Sequence, residues 1–177
     1  MFPHQPARRR PAGTAGITVV ATAPAIHATA IAINGQAVLL LGASGSGKSD
    51  LALRLIDRGA ILISDDYCHV EEVDGAPHIH VATAIAGKIE VRGIGIVTQA
   101  HIASAPLRLA LLLGAAPERL PEENGVMHIG EWTVPAFSLS PFEASAPIKA
   151  EYLLRHVVDA GRQPVRWNQT GSQQGVK

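Results

Sequence analysis

Short apolar runs separated by turn residues dominate the first part of the chain, and most of them have the length of a β-strand. Three such runs occupy residues 17–23, 28–33 and 37–41. The pair Asn34-Gly35 separates the second run from the third, and this dipeptide is typical of a two-residue hairpin turn. The third run is apolar at every position, which predicts a strand buried on both faces.

A glycine- and serine-rich segment follows the third run and leads into a helical pattern at residues 48–58. Leu51 and Leu55 fall on one stripe of that helix, and Gly59 stands where a left-handed C-terminal cap is expected. Residues 60–64 then predict a second buried strand. Because strand, loop, helix and strand follow each other, we predict a βαβ-like unit here.

The pattern then remains rich in strands. Asp74-Gly75 predicts another hairpin. Further extended segments are predicted at residues 88–98, 107–113, 126–129 and 132–139. Polar residues, proline and glycine occupy both ends of the sequence, so we expect one domain at residues 15–162 between flexible tails at 1–14 and 163–177.

A second helix is predicted at residues 146–160, near the end of the chain. Ser145 is its expected N-cap, Leu153 and Val157 share one face, and Gly161 is its expected stop. Few helices among many strands indicate an α/β fold with a mixed, strand-rich sheet.

Composition narrows the class of protein. The 177 residues include 47% hydrophobic and 17% charged residues, as in folded globular proteins. Fifteen basic residues balance fifteen acidic ones, which disfavours nucleic acids and anionic membranes as partners. Cys68 is the single cysteine, so an internal disulfide is excluded. This single cysteine fits a reducing compartment, and the expected location is the cytoplasm. Every apolar run is too short to span a bilayer.

The clearest chemical signal is an uninterrupted G-x-x-x-x-G-K-[ST] motif, the Walker A pattern of a P-loop nucleotide-binding domain. Its eight residues, the predicted nucleotide contacts, are Gly42, Ala43, Ser44, Gly45, Ser46, Gly47, Lys48 and Ser49. Glycines let main-chain N–H groups surround a phosphate, the lysine supplies a cation, and the final hydroxyl binds Mg²⁺. A buried strand before the motif and an amphipathic helix after it match the expected context.

Two groups of charged residues follow the motif. Asp65 and Asp66 come directly after a predicted strand, at the sheet edge expected to carry the phosphate loop. One carboxylate can hold the metal or its water, and the other can take a proton from an incoming hydroxyl; an ordinary acidic turn is the alternative. Glu90 and Arg92 interrupt an apolar stretch, where they either form an ion pair or contact metal and phosphate.

The eight histidines show no close metal-binding spacing, and zinc is not expected. His78 and His80 alternate as exposed strand residues do, and His69 stands alone. Cys68 is interpreted as a small buried thiol.

His27, the loop at residues 42–49, the acidic pair with its preceding Ile63-Ser64, and residues 89–95 together resemble the catalytic domain of HPr kinase/phosphorylase. Enzymes of that family use ATP to phosphorylate a serine of HPr, the small phosphocarrier of the sugar phosphotransferase system. Inorganic phosphate can remove the group again. The resemblance therefore implies ATP and Mg²⁺ as cofactors, an HPr-like partner and commonly a hexamer.

The resemblance also implies residue roles. It makes Lys48 a catalytic phosphate ligand, His27 an active-site residue and Asp66 the proton acceptor. It makes Ser49 and Glu90 the Mg²⁺ ligands. The accessory residues are Asp65, from its place beside the acceptor, and Arg92, from its charge.

The chain also departs from the family. The family's Tyr-Asp-Arg-Leu stretch is reduced to residues 117–120, where Arg119 is the candidate catalytic arginine. The Pro-x-x-Pro-Gly-Arg-Asn loop associated with dephosphorylation is replaced at residues 138–143, so kinase activity is better supported than phosphorylase activity. Only about 26 residues precede His27, as in the family's short, catalytic-domain-only form. The alternatives are an ATP-binding regulatory module without catalysis and a small-molecule P-loop kinase.

Overall fold

The computed structural model describes residues 20–21, 25–114 and 125–166. The strands in these ranges are β1 (Val20–Ala21), β2 (Ile26–His27), β3 (Thr29–Ile33), β4 (Gln36–Leu41), β5 (Ile61–Ser64), β6 (Tyr67–Val73), β7 (Ala76–Val81), β8 (Lys88–Val91), β9 (Gly95–Thr98), β10 (Ser104–Leu113), β11 (Gly125–Ile129), β12 (Trp132–Leu139) and β13 (Val165–Arg166). The helices are α1 (Lys48–Asp57) and α2 (Ala146–Asp159), and Thr83–Ile85 form a 3-10 turn. The α/β, strand-rich fold class predicted from the sequence is confirmed.

Both predicted hairpins form at their asparagine- or aspartate-glycine pairs. Asn34 and Gly35 have φ angles of 50° and 75°, and they join β3 to β4 with Ile33 opposite Gln36. Asp74 and Gly75 join β6 to β7 in the same way, with φ angles of 51° and 76°. Positive φ at both central residues matches the right-handed twist of the flanking strands.

The main sheet has the strand order β1-β11-β12-β10-β4-β3-β5. Strands β4, β10 and β12 run parallel, whereas β3 lies antiparallel between β4 and β5. Because β5 therefore points the same way as β4, the carboxyl ends of β4, β5, β10 and β12 lie at one edge of the sheet. The βαβ-like unit thus exists, but β3 separates its two strands.

Helices cover one face of the sheet and strands cover the other. Side chains of α1 and α2 pack with one set of sheet residues, including Ile31, Leu40 and Leu111. The β6–β7 hairpin packs on the opposite set, where Cys68 and Ile79 are buried. Both faces of the central strands are therefore apolar, as the uninterrupted run in β4 predicts.

Helix α2 differs in detail from its prediction. Leu154, rather than Leu153, is buried beside Val157, while Leu153 is half-buried at the border of the core. Ser145 holds the N-cap position, but its side chain makes no capping hydrogen bond. The predicted stop is correct, since Gly161 follows the helix with a φ angle of 63°.

Two predicted boundaries also shift. Of the strand predicted at residues 17–23, the described part is β1, which pairs with β11. Strand β13 pairs with β12 beyond residue 162, so sheet pairing extends past the predicted end of the domain. None of the helices in the described ranges is long and apolar enough to span a membrane.

Candidate functional site

The candidate site lies at the edge where the parallel strands end. The glycine-rich loop leaves β4 and enters α1, the acidic pair leaves β5, and the β8–β9 hairpin lies beside them. Chain connectivity at this edge explains why residues far apart in sequence meet. Open α/β sheets bind ligands at this edge.

Lys48 begins α1 and turns its side chain back into the loop. Its Nζ atom donates hydrogen bonds to the carbonyl oxygens of Gly42 and Ala43 at 3.0 and 3.1 Å. The residue is only 6% exposed, and no carboxylate of the described residues forms an ion pair with its ammonium group. A buried cation paired with carbonyl groups alone has an unmet demand for negative charge.

The loop also presents an unsatisfied hydroxyl and a crowded glycine. Ser46 Oγ is buried, and none of the described residues forms a hydrogen bond with it. Gly47 has a φ angle of 89°, and a Cβ atom there would approach the ring of Phe142 to 3.0 Å. Glycine is therefore required at residue 47 both for backbone conformation and for the close approach of a neighbouring segment.

Asp65 is the hydrogen-bonding centre of the site. Its Oδ1 atom accepts bonds from Thr29 Oγ1 at 2.8 Å and Ser49 Oγ at 3.0 Å. Its Oδ2 atom accepts a bond from the Glu90 main-chain N–H at 3.0 Å. The carboxylate, whose residue is 6% exposed, thereby joins β3, α1, β5 and β8. The sequence did not indicate Thr29, although a threonine within an apolar strand is the kind of signal that points to it.

Asp66 lies at the same edge but faces outward. Its side chain is 56% exposed, its φ angle is 70°, and Oδ1 lies 3.7 Å from His27 Nε2. The His27 ring also contacts the Tyr67 ring, with centroids 5.3 Å apart. An exposed carboxylate with a nearby imidazole can accept or return a proton.

Glu90 and Arg92, the charged residues of the apolar stretch, are both exposed on the β8–β9 hairpin. They form no ion pair with each other, which removes that alternative for these two described residues. In β8 the exposed residues Lys88 and Glu90 flank the buried Ile89, as in a strand with one face in water. Arg92 Nη2 lies 3.8 Å from the position that a Cβ atom of Gly45 would take, which brings its charge to the loop.

A turn after β12 completes the surroundings of the loop. Arg54 of α1 donates hydrogen bonds to the carbonyl oxygens of Pro141 and Glu143, and it also pairs with Asp50 at 2.8 Å. Phe142 lies between Pro141 and Glu143 in this turn. Its ring packs against Gly47, although the residue is 71% exposed to solvent. The sequence located the altered segment at residues 138–143 but gave no sign that Arg54 holds it.

Charge pairing extends along this turn. A hydrogen bond from Lys149 lowers the pKa of the Glu143 carboxyl. The pair ties the turn to the first part of α2. Arg119, the predicted catalytic arginine, lies outside the described residues.

The histidines are arranged differently from their prediction. His69 does not stand alone, because strand pairing in the β6–β7 hairpin sets it opposite His80. Their rings stack with centroids 5.6 Å apart. Spacing along the chain did not reveal this pair, since the two residues belong to different strands.

Comparison with known proteins identifies relatives of this site. Residues 18–103 match the family model described as the HPr Serine kinase C-terminal domain. Over 72 residues the chain is 38% identical to an HPr kinase/phosphorylase of Clostridium beijerinckii, covering 41% of this chain and 24% of that protein. Over 71 residues it is 44% identical to the one from Caldicellulosiruptor bescii, covering 40% and 23%. The matches thus span about a quarter of these relatives' length.

A solved structure extends the similarity over most of the fold. The HPr(Ser) kinase/phosphatase from Coxiella burnetii superposes with a TM-score of 0.63 and 25% sequence identity, covering 77% of this chain and 92% of that one. The resemblance expected from the sequence motifs is therefore confirmed.

Proposed function

From the match of residues 18–103 to HPr serine kinase C-terminal domains, we propose that this chain is an ATP- and Mg²⁺-dependent kinase for a serine of an HPr-like phosphocarrier. We also propose that the protein acts in the cytoplasm as a homo-oligomer, a hexamer as the resemblance to HPr kinase/phosphorylase implies. The observation that carries it is the buried Lys48 ammonium group, whose hydrogen-bond partners among the described residues are the carbonyl oxygens of Gly42 and Ala43.

The loop fits a nucleotide phosphate. A phosphate would supply the negative charge that the Lys48 ammonium lacks, and its oxygens would accept a bond from the unpartnered Ser46 hydroxyl. Main-chain N–H groups of the glycine-rich loop and the start of α1 favour the same anion. Arg92 stands near Gly45 and adds a second cation.

The neighbouring oxygen atoms fit Mg²⁺. Ser49 supplies a hydroxyl and Asp65 a carboxylate, and these two groups are already 3.0 Å apart. The Glu90 main-chain N–H donates a hydrogen bond to Asp65, which brings Glu90, the other proposed Mg²⁺ ligand, to the same place. Hard oxygen donors of this kind are the ligands that Mg²⁺ prefers. When bound, Mg²⁺ offsets the charge of the phosphate oxygens during transfer.

Asp66 is the proposed proton acceptor. Its exposed carboxylate can take the proton of a substrate seryl hydroxyl as the seryl oxygen bonds to the γ-phosphorus and the bond to the β-phosphate oxygen breaks. Lys48 holds the transferred phosphate, and His27 orients the Asp66 carboxylate. Arg119 remains the predicted catalytic arginine.

Phosphorylation is favoured over its reversal. Residues 138–143 replace the family loop associated with dephosphorylation, and Arg54 holds the turn at residues 141–143 against α1. We therefore expect little phosphoserine removal by inorganic phosphate.

The decisive experiment incubates the full chain with purified HPr, ATP and Mg²⁺ and locates phosphate on HPr by mass spectrometry. We expect one phosphoserine per HPr, and none with Lys48→Ala, because that variant lacks the buried cation. ATP binding without phosphoserine would favour the regulatory module instead. Label from radioactive ATP in a metabolite of a lysate, with none in protein, would favour a small-molecule kinase.

A further inference from the structure

A group of nitrogen and oxygen donors lies on the outer face of the β6–β7 hairpin, away from the phosphate loop. His69 and His80 are directly opposite each other, and Glu71 follows His69 on the same face of β6. One ligand atom from each of the three residues lies within 4.8 Å of the others. His69 Nε2 is 3.1 Å from a Glu71 carboxylate oxygen.

The protein alone does not satisfy this group. His80 Nε2 is buried and has no hydrogen-bond partner within the part of the chain that the structure describes. The nearest carboxylate oxygen, from Glu71, is 3.8 Å away, which is too long for a hydrogen bond. Buried polar atoms nearly always have a partner, so an unpartnered ring nitrogen among two other metal-binding groups indicates a missing ligand.

The donor set selects the kind of ligand. Two imidazoles and one carboxylate form a typical three-residue zinc site that leaves the fourth position to water. Zinc binds imidazole nitrogen at about 2.0–2.1 Å, which places its ligands roughly 3.3 Å apart in a tetrahedron. The observed separations require only small rotations of side chains at the surface of a hairpin. Mg²⁺ is disfavoured here, because it prefers oxygen ligands.

We propose that His69, Glu71 and His80 bind one Zn²⁺ ion. The ion would join β6 to β7 across the hairpin whose first strand begins directly after Asp66. Its ligands are separate from the oxygen ligands proposed for Mg²⁺. The site therefore stands whether or not the chain phosphorylates HPr.

Metal binding is tested on the full chain without a histidine tag, after dialysis against a chelator. Adding Zn²⁺ is expected to give one bound ion per chain by elemental analysis. At about 100 times its dissociation constant, Zn²⁺ should raise Tm by roughly 5–10 °C. Co²⁺ in place of Zn²⁺ should give the strong visible absorption of a tetrahedral site. Absence of both bound zinc and the cobalt spectrum would overturn the proposal.

Two variants and a control assign the ligands. Glu71→Gln keeps the size of a side chain that is 56% exposed, so it should fold normally and bind zinc at least tenfold more weakly. His80→Gln should abolish the cobalt spectrum. His156→Gln removes an exposed histidine of α2 and should leave binding unchanged. Equal zinc affinity in Glu71→Gln, His80→Gln and the unmodified chain would show that the ion binds elsewhere and would overturn the assignment.

Discussion

Asp65 and Asp66 are adjacent in the chain and have the same side chain, yet their surroundings are opposite. Asp65 is buried and accepts hydrogen bonds from Thr29, Ser49 and the Glu90 main chain. Asp66 is 56% exposed, and its Oδ1 atom lies 3.7 Å from His27 Nε2. The first carboxylate is fixed by the fold, whereas the second is available to a substrate.

The backbone produces this difference. Asp65 directly follows β5 and is buried like the last three residues of that strand, and Asp66 then adopts a φ angle of 70°, which turns the chain before β6 begins. Aspartate and asparagine tolerate this conformation better than most residues. A single turn thus places one carboxylate in the protein interior and its neighbour in solvent. Substitution of Asp65 should therefore lower stability, whereas substitution of Asp66 should lower activity.

The largest effect is expected for Asp66→Asn. Asparagine accepts the same backbone conformation but cannot take a proton, so kcat for HPr phosphorylation should fall by about 10²–10⁴-fold. ATP binding and Tm should stay close to those of the unmodified chain, because the side chain is exposed. Steady-state kinetics, ATP titration and thermal unfolding measure the three quantities. Full activity of this variant would contradict the role of Asp66.

Asp65→Asn should instead destabilise the fold. Its amide N–H₂ must face either the two hydroxyl donors or the Glu90 N–H, which leaves a buried donor without an acceptor. The expected loss is about 2–4 kcal/mol in the free energy of unfolding, measured with urea. Asp57→Asn, at an exposed position of α1, is the control and should change stability little. An unchanged midpoint for Asp65→Asn would show that Asp65 is not a structural centre.

The sequence predicted most of the strands and helices around the acidic pair, but not which side chains contact Asp65 and Asp66. Apolar periodicity and turn dipeptides located the hairpins and α1, because those signals are local. The hydrogen-bond partners of Asp65 come from three elements, β3, α1 and β8, and pairing between distant strands decides which residues meet. The same limit explains why spacing along the chain does not predict the pairing of His69 with His80.

The contrast between inside and outside continues in β6, where Tyr67 is exposed and Cys68 is buried. Burial raises the pKa of the Cys68 thiol to about 12, whereas the thiol of the unfolded chain has a pKa of about 8.5. Between those values the native state holds the proton and the unfolded state does not. This contribution to stability is therefore complete below about pH 8.5 and is lost as pH rises towards the native value.

Cys68→Ala isolates this contribution. Between pH 9 and 10 the unmodified chain should lose about 1 kcal/mol more stability than the variant, because only the unmodified chain has the thiol. Urea unfolding at the two pH values measures the difference. Parallel losses in both proteins would show that the native thiol ionises as readily as the unfolded one.

His27→Gln should have the smallest effect and tests how Asp66 is positioned. The His27 Nε2 atom lies 3.7 Å from Asp66 Oδ1, a distance at which the ring orients the carboxylate without a direct hydrogen bond. Because an exposed pair interacts weakly, we expect kcat to fall only about 3–5-fold, with KM for ATP unchanged. In an Asp66→Asn background the same substitution should change kcat little, since the carboxylate that it orients is gone. An equal loss of kcat in both backgrounds would show that His27 acts independently of Asp66. The two exposed residues would then be separate catalytic groups.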